Sequence, residues 1–124
     1  LKVSKILDKE NISVEVIDPR TLSPIDRETI VESVKKTGRL IVVDPGWMSY
    51  GASGEIITSV VESTRVKLRS KPVRITLPDS HTPMSQALED DYYINKDKIL
   101  SEVKKLINDW KIFYKKANTK LFKT

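Results

Sequence analysis

The stretch that most limits the fold runs from Val14 to Trp47. It holds two short apolar runs, Val14–Ile17 and Leu40–Val43, on either side of one well-punctuated amphipathic segment. The first run is short and β-branched and ends at Asp18-Pro19, because proline has no ladder donor to offer a strand. Ser23-Pro24-Ile25-Asp26 reads as a helix start: Ser23 as cap, Pro24 at the first helical position, Asp26 at the positive end of the dipole. Ile25, Ile30, Val31 and Val34 supply the buried stripe. Lys35 and Lys36 fill the last turn, and Gly38 gives the left-handed stop. Leu40–Val43 is then a strand apolar on both faces, broken at Asp44-Pro45-Gly46. A strand–helix–strand unit of this kind builds an α/β layer.

The rest of the chain extends that layer. Val3, Ile6 and Leu7 lie on one helical face, in a helix expected to begin before Leu1 and to stop near Asn11. Gly51 to Ser53 opens another helix with Ile56, Ile57, Val60, Val61 and Thr64 on one face. Val73–Leu77 alternates as an edge strand between Pro72 and Pro78, with Val73, Ile75 and Leu77 on the same side. Residues 78–94 carry two prolines and little periodicity and read as an ordered loop. Asn95 caps a last helix whose apolar face runs Ile99, Leu100, Val103, Leu106, Ile107 and Trp110. The expected fold is α/β, three-layer α/β/α, around a mostly parallel sheet.

Bulk properties remove several function classes. A chain of 124 residues without cysteine has no disulfide, thiolate nucleophile or cysteine metal site. No apolar run approaches the roughly 20 residues that cross a bilayer, so no membrane partner is expected. The formal charge of +5 is local. Residues 109–124 hold Lys111, Lys115, Lys116, Lys120 and Lys123 against Asp109, a balance of +4, which leaves +1 for the other 108 residues. This is a basic, aromatic tail rather than a basic face, so no nucleic-acid partner is expected. Such a tail is more often a helix extension with a solvated face than a contact to RNA, an acidic membrane or an acidic protein.

Chemical signals are sparse. His81, the lone histidine, stands in the loop after the last strand, where its ordinary role is a solvated side chain and its functional one a general acid/base at a site entrance. Asp44, Asp79 and His81 all follow strand ends, where α/β proteins place ligands. Gly51-Ala52-Ser53-Gly54 opens a helix and could offer free N–H groups to a phosphate, but it lacks the dinucleotide and P-loop spacings. Glu89, Asp90 and Asp91 form an acidic turn before Tyr92-Tyr93.

The run Val16-Ile17-Asp18-Pro19-Arg20-Thr21-Leu22-Ser23-Pro24-Ile25-Asp26, continued by Ser33 to Leu40 and Val42-Val43-Asp44, resembles the C-terminal domain of transketolase-like enzymes. Within them it resembles the beta subunit of the E1 component of 2-oxo acid dehydrogenases acting on pyruvate or acetoin. Gly46-Trp47, Gly51, Glu55, Pro72-Val73-Arg74, Pro78-Asp79, Thr82-Pro83, Ser85, Leu88-Glu89 and Tyr92-Tyr93 follow in the same order, so the resemblance covers residues 1–108. Pro19, Asp44-Pro45 and the extension 109–124 depart from the usual pattern.

The resemblance implies a domain of five strands of which this chain carries the last three, hence one shortened at its N-terminus. It implies an enzyme that decarboxylates a 2-oxo acid on thiamine diphosphate and Mg2+, both held by other domains. The implied partners are the E1 alpha subunit, a second E1 beta and the E2 acyltransferase, in the cytoplasm or, in a eukaryote, the mitochondrial matrix. No catalytic residue is expected in this domain, with His81 the outside candidate. Asp44, Trp47, Gly51, Asp79, Tyr92 and Tyr93 are expected at an interface or site-entrance loop. The alternatives are the matching domain of transketolase or deoxyxylulose-phosphate synthase, and a free-standing nucleotide- or RNA-binding module.

Overall fold

A computed structural model describes residues 1–121, with side chains described through residue 109. Seven elements follow in order: α1 Lys2–Lys9, α2 Arg27–Thr37, β1 Ile41–Trp47, α3 Ala52–Val61, β2 Val73–Leu77, α4 Gln86–Tyr92 and α5 Lys96–Leu121. β1 and β2 pair in parallel, joined by α3 as the crossover. The expected α/β class holds, with a two-stranded sheet among the described residues rather than three strands.

The strand expected at Val14–Ile17 does not form. Residues 12–19 have no regular structure, and Val14 and Val16 are 40% and 50% exposed. Their sequence suits a pleated surface, but a strand exists only when a neighbour completes its ladder. Ile17 alone from this run packs on the core.

That core is one cluster. Ile30, Val31 and Val34 of α2, Val42 of β1, and Ile56 and Val60 of α3 are all nearly closed to solvent. The 3.6-residue spacing of the helical members sets one stripe of each helix against the sheet. The face assigned to α2 is confirmed. On α3, Val61 is 60% exposed and Thr64 falls outside the helix, because the helix ends at Val61 and its last residue turns off the buried stripe.

The start of α2 lies further on than expected. Asp26, not Ser23, is the N-cap: it accepts from the Thr29 N–H at 3.1 Å and from the Thr29 hydroxyl at 2.6 Å. Ser23-Pro24 is a cis peptide in the turn before it. A carboxylate three residues ahead of a threonine offers two acceptor contacts, which a serine cap cannot match. The stop is as expected: Gly38 takes φ 67° and donates to the Val34 carbonyl at 2.6 Å.

β1 also runs past its expected break. Val42 pairs with Arg74, Val43 with Ile75, and then Trp47 with Leu77. Asp44-Pro45-Gly46 is therefore a bulge inside the strand, where Pro45 has no N–H to lose. Nor is β1 buried on both faces, since Val43 is 45% exposed. β2 behaves as read, with Ile75 and Leu77 buried.

The segment 78–94, read as a loop, contains α4; its side Tyr92 is buried while Leu88 stays 58% exposed. Seven residues are too few for periodicity to stand out. Asn95 caps α5 as expected, accepting from the Asp97 and Lys98 N–H groups at 3.1 and 2.9 Å. α1 packs on α5, and Lys104 reaches Glu10 at 2.8 Å. Asn11 ends α1 in the left-handed region at φ 58°. Trp110 and the basic tail fall outside the residues whose side chains are described.

Candidate functional site

Because β1 and β2 are parallel, the loops that follow them leave from the same edge of the sheet. Asp44 and Trp47 lie at the bulge and the end of β1, Gly51 on the loop after it and Asp79 and His81 on the loop after β2, and α4 brings Tyr92 and Tyr93 back to the same edge. What the gathered groups do is different from what their positions promised.

Asp44 is a fastener. Its Oδ1 accepts from the Gly46 N–H at 2.8 Å and its Oδ2 from the Ser53 N–H at 2.9 Å. The first bond stabilises the bulge and the second caps α3, whose N-cap Gly51 has no side chain to offer. Carboxylates are favoured at this end of a helix, because the first amides point outward and the dipole is positive there. Ser53 is fully buried, and its hydroxyl has no partner among the described residues.

Gly51 is required for close approach. Its φ of −76° is ordinary, but a Cβ on it would lie 2.5 Å from the Trp47 carbonyl oxygen and 2.9 Å from Asp44 Oδ2. The two are joined as one design: the missing side chain is the space that lets the Asp44 carboxylate reach α3. This arrangement also answers the phosphate reading of Gly51–Gly54. A carboxylate already holds the amide that a phosphate oxygen would use, and its charge repels an anion.

Asp79 closes the edge from the other strand. Its carboxylate accepts from the Ser49 N–H at 2.9 Å and the Ser49 hydroxyl at 2.6 Å. These hydroxyl and amide bonds, the hydroxyl first, hold its carboxyl below the usual carboxylate range, with the Arg74 charge adding a smaller pull. The Arg74 guanidinium itself donates to the Met48 carbonyl at 2.9 Å, and the Met48 N–H to the Leu77 carbonyl at 3.0 Å. The neighbouring Ser80 carbonyl accepts from the Tyr92 hydroxyl at 2.8 Å. Tyr92 in turn meets Tyr93 edge to face, with ring centroids 5.3 Å apart.

So Asp44, Gly51, Asp79 and Tyr92 are brought into one hydrogen-bonded scaffold, and each is used up in holding it. Trp47 and Tyr93 sit on the scaffold with 53% and 47% of their surface open. His81 is exposed and makes no hydrogen bond or ion pair among the described residues, so no nucleophile–base pair includes it. No group of three or more His, Asp or Glu converges as metal ligands among the described residues.

Sequence reasoning missed Ser49 and Ser80 as members of the scaffold, and read the Ser53 N–H only as a possible phosphate donor. Ser49 is 30 positions from the carboxylate it serves, and nothing in the local pattern marks it. Ser53 and Ser80 act through main-chain groups, which are the same in every residue. Tyr50 has a readable signal only in hindsight, an aromatic just before Gly51 in a turn. It takes φ 58° and is completely exposed.

A groove of about 530 Å³ opens beside the edge, between β2 and the first half of α5. Its lining mixes Met48 and Ile75 with Arg74, Lys98 and Glu102, without a convergent set of reactive groups. No helix of the described residues is long and apolar enough to cross a membrane.

Residues 1–99 match the family described as Transketolase, C-terminal domain. Among curated relatives, the pyruvate dehydrogenase E1 component subunit beta of Acholeplasma laidlawii is 44% identical over 105 residues, 85% of this chain and 32% of the relative. The mitochondrial subunit of Homo sapiens is 36% identical over 109 residues, 87% of this chain and 30% of the relative. That of Bacillus subtilis is 36% identical over 107 residues, 86% and 33%. The chain spans about a third of the length of the curated relatives it matches.

Proposed function

Since the chain belongs to the transketolase C-terminal domain family, we propose that it is the C-terminal domain of the beta subunit in a thiamine diphosphate-dependent 2-oxo acid dehydrogenase E1 of the pyruvate class. Its work there is assembly rather than chemistry: contact with the E1 alpha subunit and a second E1 beta, and a docking surface for the E2 acyltransferase. The observation that carries this reading is the name shared by the matched relatives, pyruvate dehydrogenase E1 component subunit beta. The use made of Asp44 and Asp79 supports it. A carboxylate that accepts two bonds from its own scaffold is poorly placed to shuttle protons.

When bound, thiamine diphosphate with Mg2+ supplies the carbanion chemistry of decarboxylation in such an enzyme. The described residues of this chain do not fit that group. The N-terminus of α3 is filled by Asp44, and no carboxylate cluster converges on a metal position. On this reading cofactor binding belongs to other domains of the complete enzyme. This chain's residues supply a rigid edge, made of two loops cross-tied by Ser49–Asp79 and by Ser80–Tyr92. On this reading residues 1–108 form the domain and 109–124 are its basic, aromatic tail, along which α5 continues to Leu121.

The test is reconstitution with the E1 alpha and E2 subunits from the same source. The expected result is co-elution with them and pyruvate-dependent acyl transfer by the assembled enzyme, with no turnover by the 124-residue chain alone. Decarboxylation by the isolated chain, or elution separate from both subunits, would refute the proposal.

A further inference from the structure

The loop edge of the sheet differs in charge from the rest of the molecule. Residues 44–54 and 78–93 contain five acids, Asp44, Asp79, Glu89, Asp90 and Asp91, and no lysine or arginine, in a chain whose formal charge is +5. Arg74 and Lys98 approach from β2 and α5, but both cations donate to main-chain carbonyls of the edge: Arg74 to Met48, Lys98 to Asp91 and Tyr93. Counting both, the edge keeps a negative balance. Glu89, Asp90 and Asp91 make no ion pair among the described residues.

The same edge holds aromatic surface in the open. Trp47, Met48 and Tyr93 are about half exposed and Tyr50 fully so. Tyr50 also stands at φ 58°, a region that a bulky side chain enters at a cost. The cost is met locally, because Ser49 before it is held by Asp79 and Gly51 after it admits the turn. An aromatic side chain presented on a rigid, cross-tied loop loses little freedom when it binds.

The complement of this surface is in the same chain. Residues 109–124 hold five lysines against one aspartate, with Trp110, Phe113, Tyr114 and Phe122 among them. As far as Leu121 it runs away from the edge of its own copy. α5 starts at the edge, where Lys98 reaches Asp91 and Tyr93, and continues as one helix to Leu121. At about 1.5 Å per residue, Lys115 lies roughly 25 Å further along the axis than Lys98.

We propose that the acidic, aromatic edge formed by Trp47, Tyr50, Asp79, Asp90, Asp91 and Tyr93 receives the basic end of α5 from a second copy of this chain. Reciprocal exchange, each copy's α5 end on the other's edge, gives a closed two-fold dimer with two identical contacts. Opposite charge steers the encounter, and the aromatic side chains supply the buried area. The contact requires only this chain and is independent of any E1 alpha or E2 subunit.

The experiment is sedimentation equilibrium of the full chain alone, at low and high salt. Self-association is expected at low salt and is weakened by high salt, because the contact is charge-driven. In the full chain, Asp90→Lys with Asp91→Lys raises the dissociation constant at least about tenfold, as does Lys115→Glu with Lys116→Glu. Combining the four substitutions restores association to within about threefold, since each reversed charge again meets its opposite. Circular dichroism of each variant checks that the fold is kept. The salt series on the unaltered chain tests the proposal even if a variant misfolds. A monomer at low salt, association indifferent to salt, or a fourfold variant no tighter than the two pairs would each overturn it.

Discussion

Replacing Asp44 with alanine tests whether this carboxylate is a fastener. The substitution removes both acceptors at once and leaves the Gly46 and Ser53 N–H groups without partners. The two losses are unequal. Ser53 is fully buried, so water cannot reach its amide, and an orphaned buried donor costs about 2–3 kcal/mol. Gly46 is only half-buried, and water can replace part of what it loses, leaving about 0.5–1 kcal/mol. Loss of the anion at the N-terminus of α3 adds a few tenths more. The total is about 3 kcal/mol, or roughly 10 °C in melting temperature for a domain of this size. Urea unfolding followed by circular dichroism measures it, and Trp47 fluorescence in a Trp110→Phe background adds a probe at the end of the same strand. Asp44→Asn is expected to recover part of the loss, because it keeps one acceptor. It cannot recover all of it, because its NH2 group faces an N–H donor. A loss below about 1 kcal/mol for the alanine variant would show that the two amides find other partners and that the fastener argument is wrong.

Gly51→Ala is expected to destabilise by about 2–3 kcal/mol through overpacking, since its Cβ would sit 2.5 Å from the Trp47 carbonyl, and denaturant midpoints measure this directly. Stability is also expected to fall in acid. The carboxyls of Asp26, Glu28 and Asp79 are held below their ordinary values, chiefly by the Thr29 hydroxyl, the Arg65 guanidinium and the Ser49 hydroxyl respectively. The unfolded chain therefore takes up protons at higher pH than the folded one. The stabilisation is fully present above about pH 5 and is lost as pH falls through the folded values. Unfolding midpoints measured down the acid range should show this slope, and Ser49→Ala should flatten Asp79's share of it. His81→Ala, at an exposed side chain without a described partner, should change stability by no more than about 0.5 kcal/mol. It should also leave pyruvate turnover of the reconstituted enzyme unchanged; a large loss of turnover would return His81 to the reaction.

Much of the fold was legible because its signals are local. Gly38 stops α2 and Asn95 caps α5 through bonds to groups within four residues. Ile30, Val31, Val34, Ile56 and Val60 point to a core through helical spacing, and all five are in it. The failures share a cause too. Val14–Ile17 has the composition of a strand without a described neighbour, and pairing is a property of two segments. Ser23 and Asp26 are both good caps, and the choice went to the one that could also bind the Thr29 hydroxyl. The bulge at Asp44–Gly46 depends on Trp47 pairing again with Leu77, 30 residues away.

The candidate site divides in the same way. By itself the sequence determined that the chain is an α/β domain of the transketolase C-terminal kind, and that Asp79 and His81 follow a strand, whereas Asp44, read as following one, lies inside β1. Parallel pairing then brought the loops of β1 and β2 to one edge. Only the tertiary structure decided what those residues do there. A carboxylate's role depends on which donors surround it, and here the donors are Gly46 and Ser53 for Asp44 and Ser49 for Asp79, placed by the crossover through α3. What sequence position alone marked as a site is, in three dimensions, the frame that holds Trp47 and Tyr50 out to solvent.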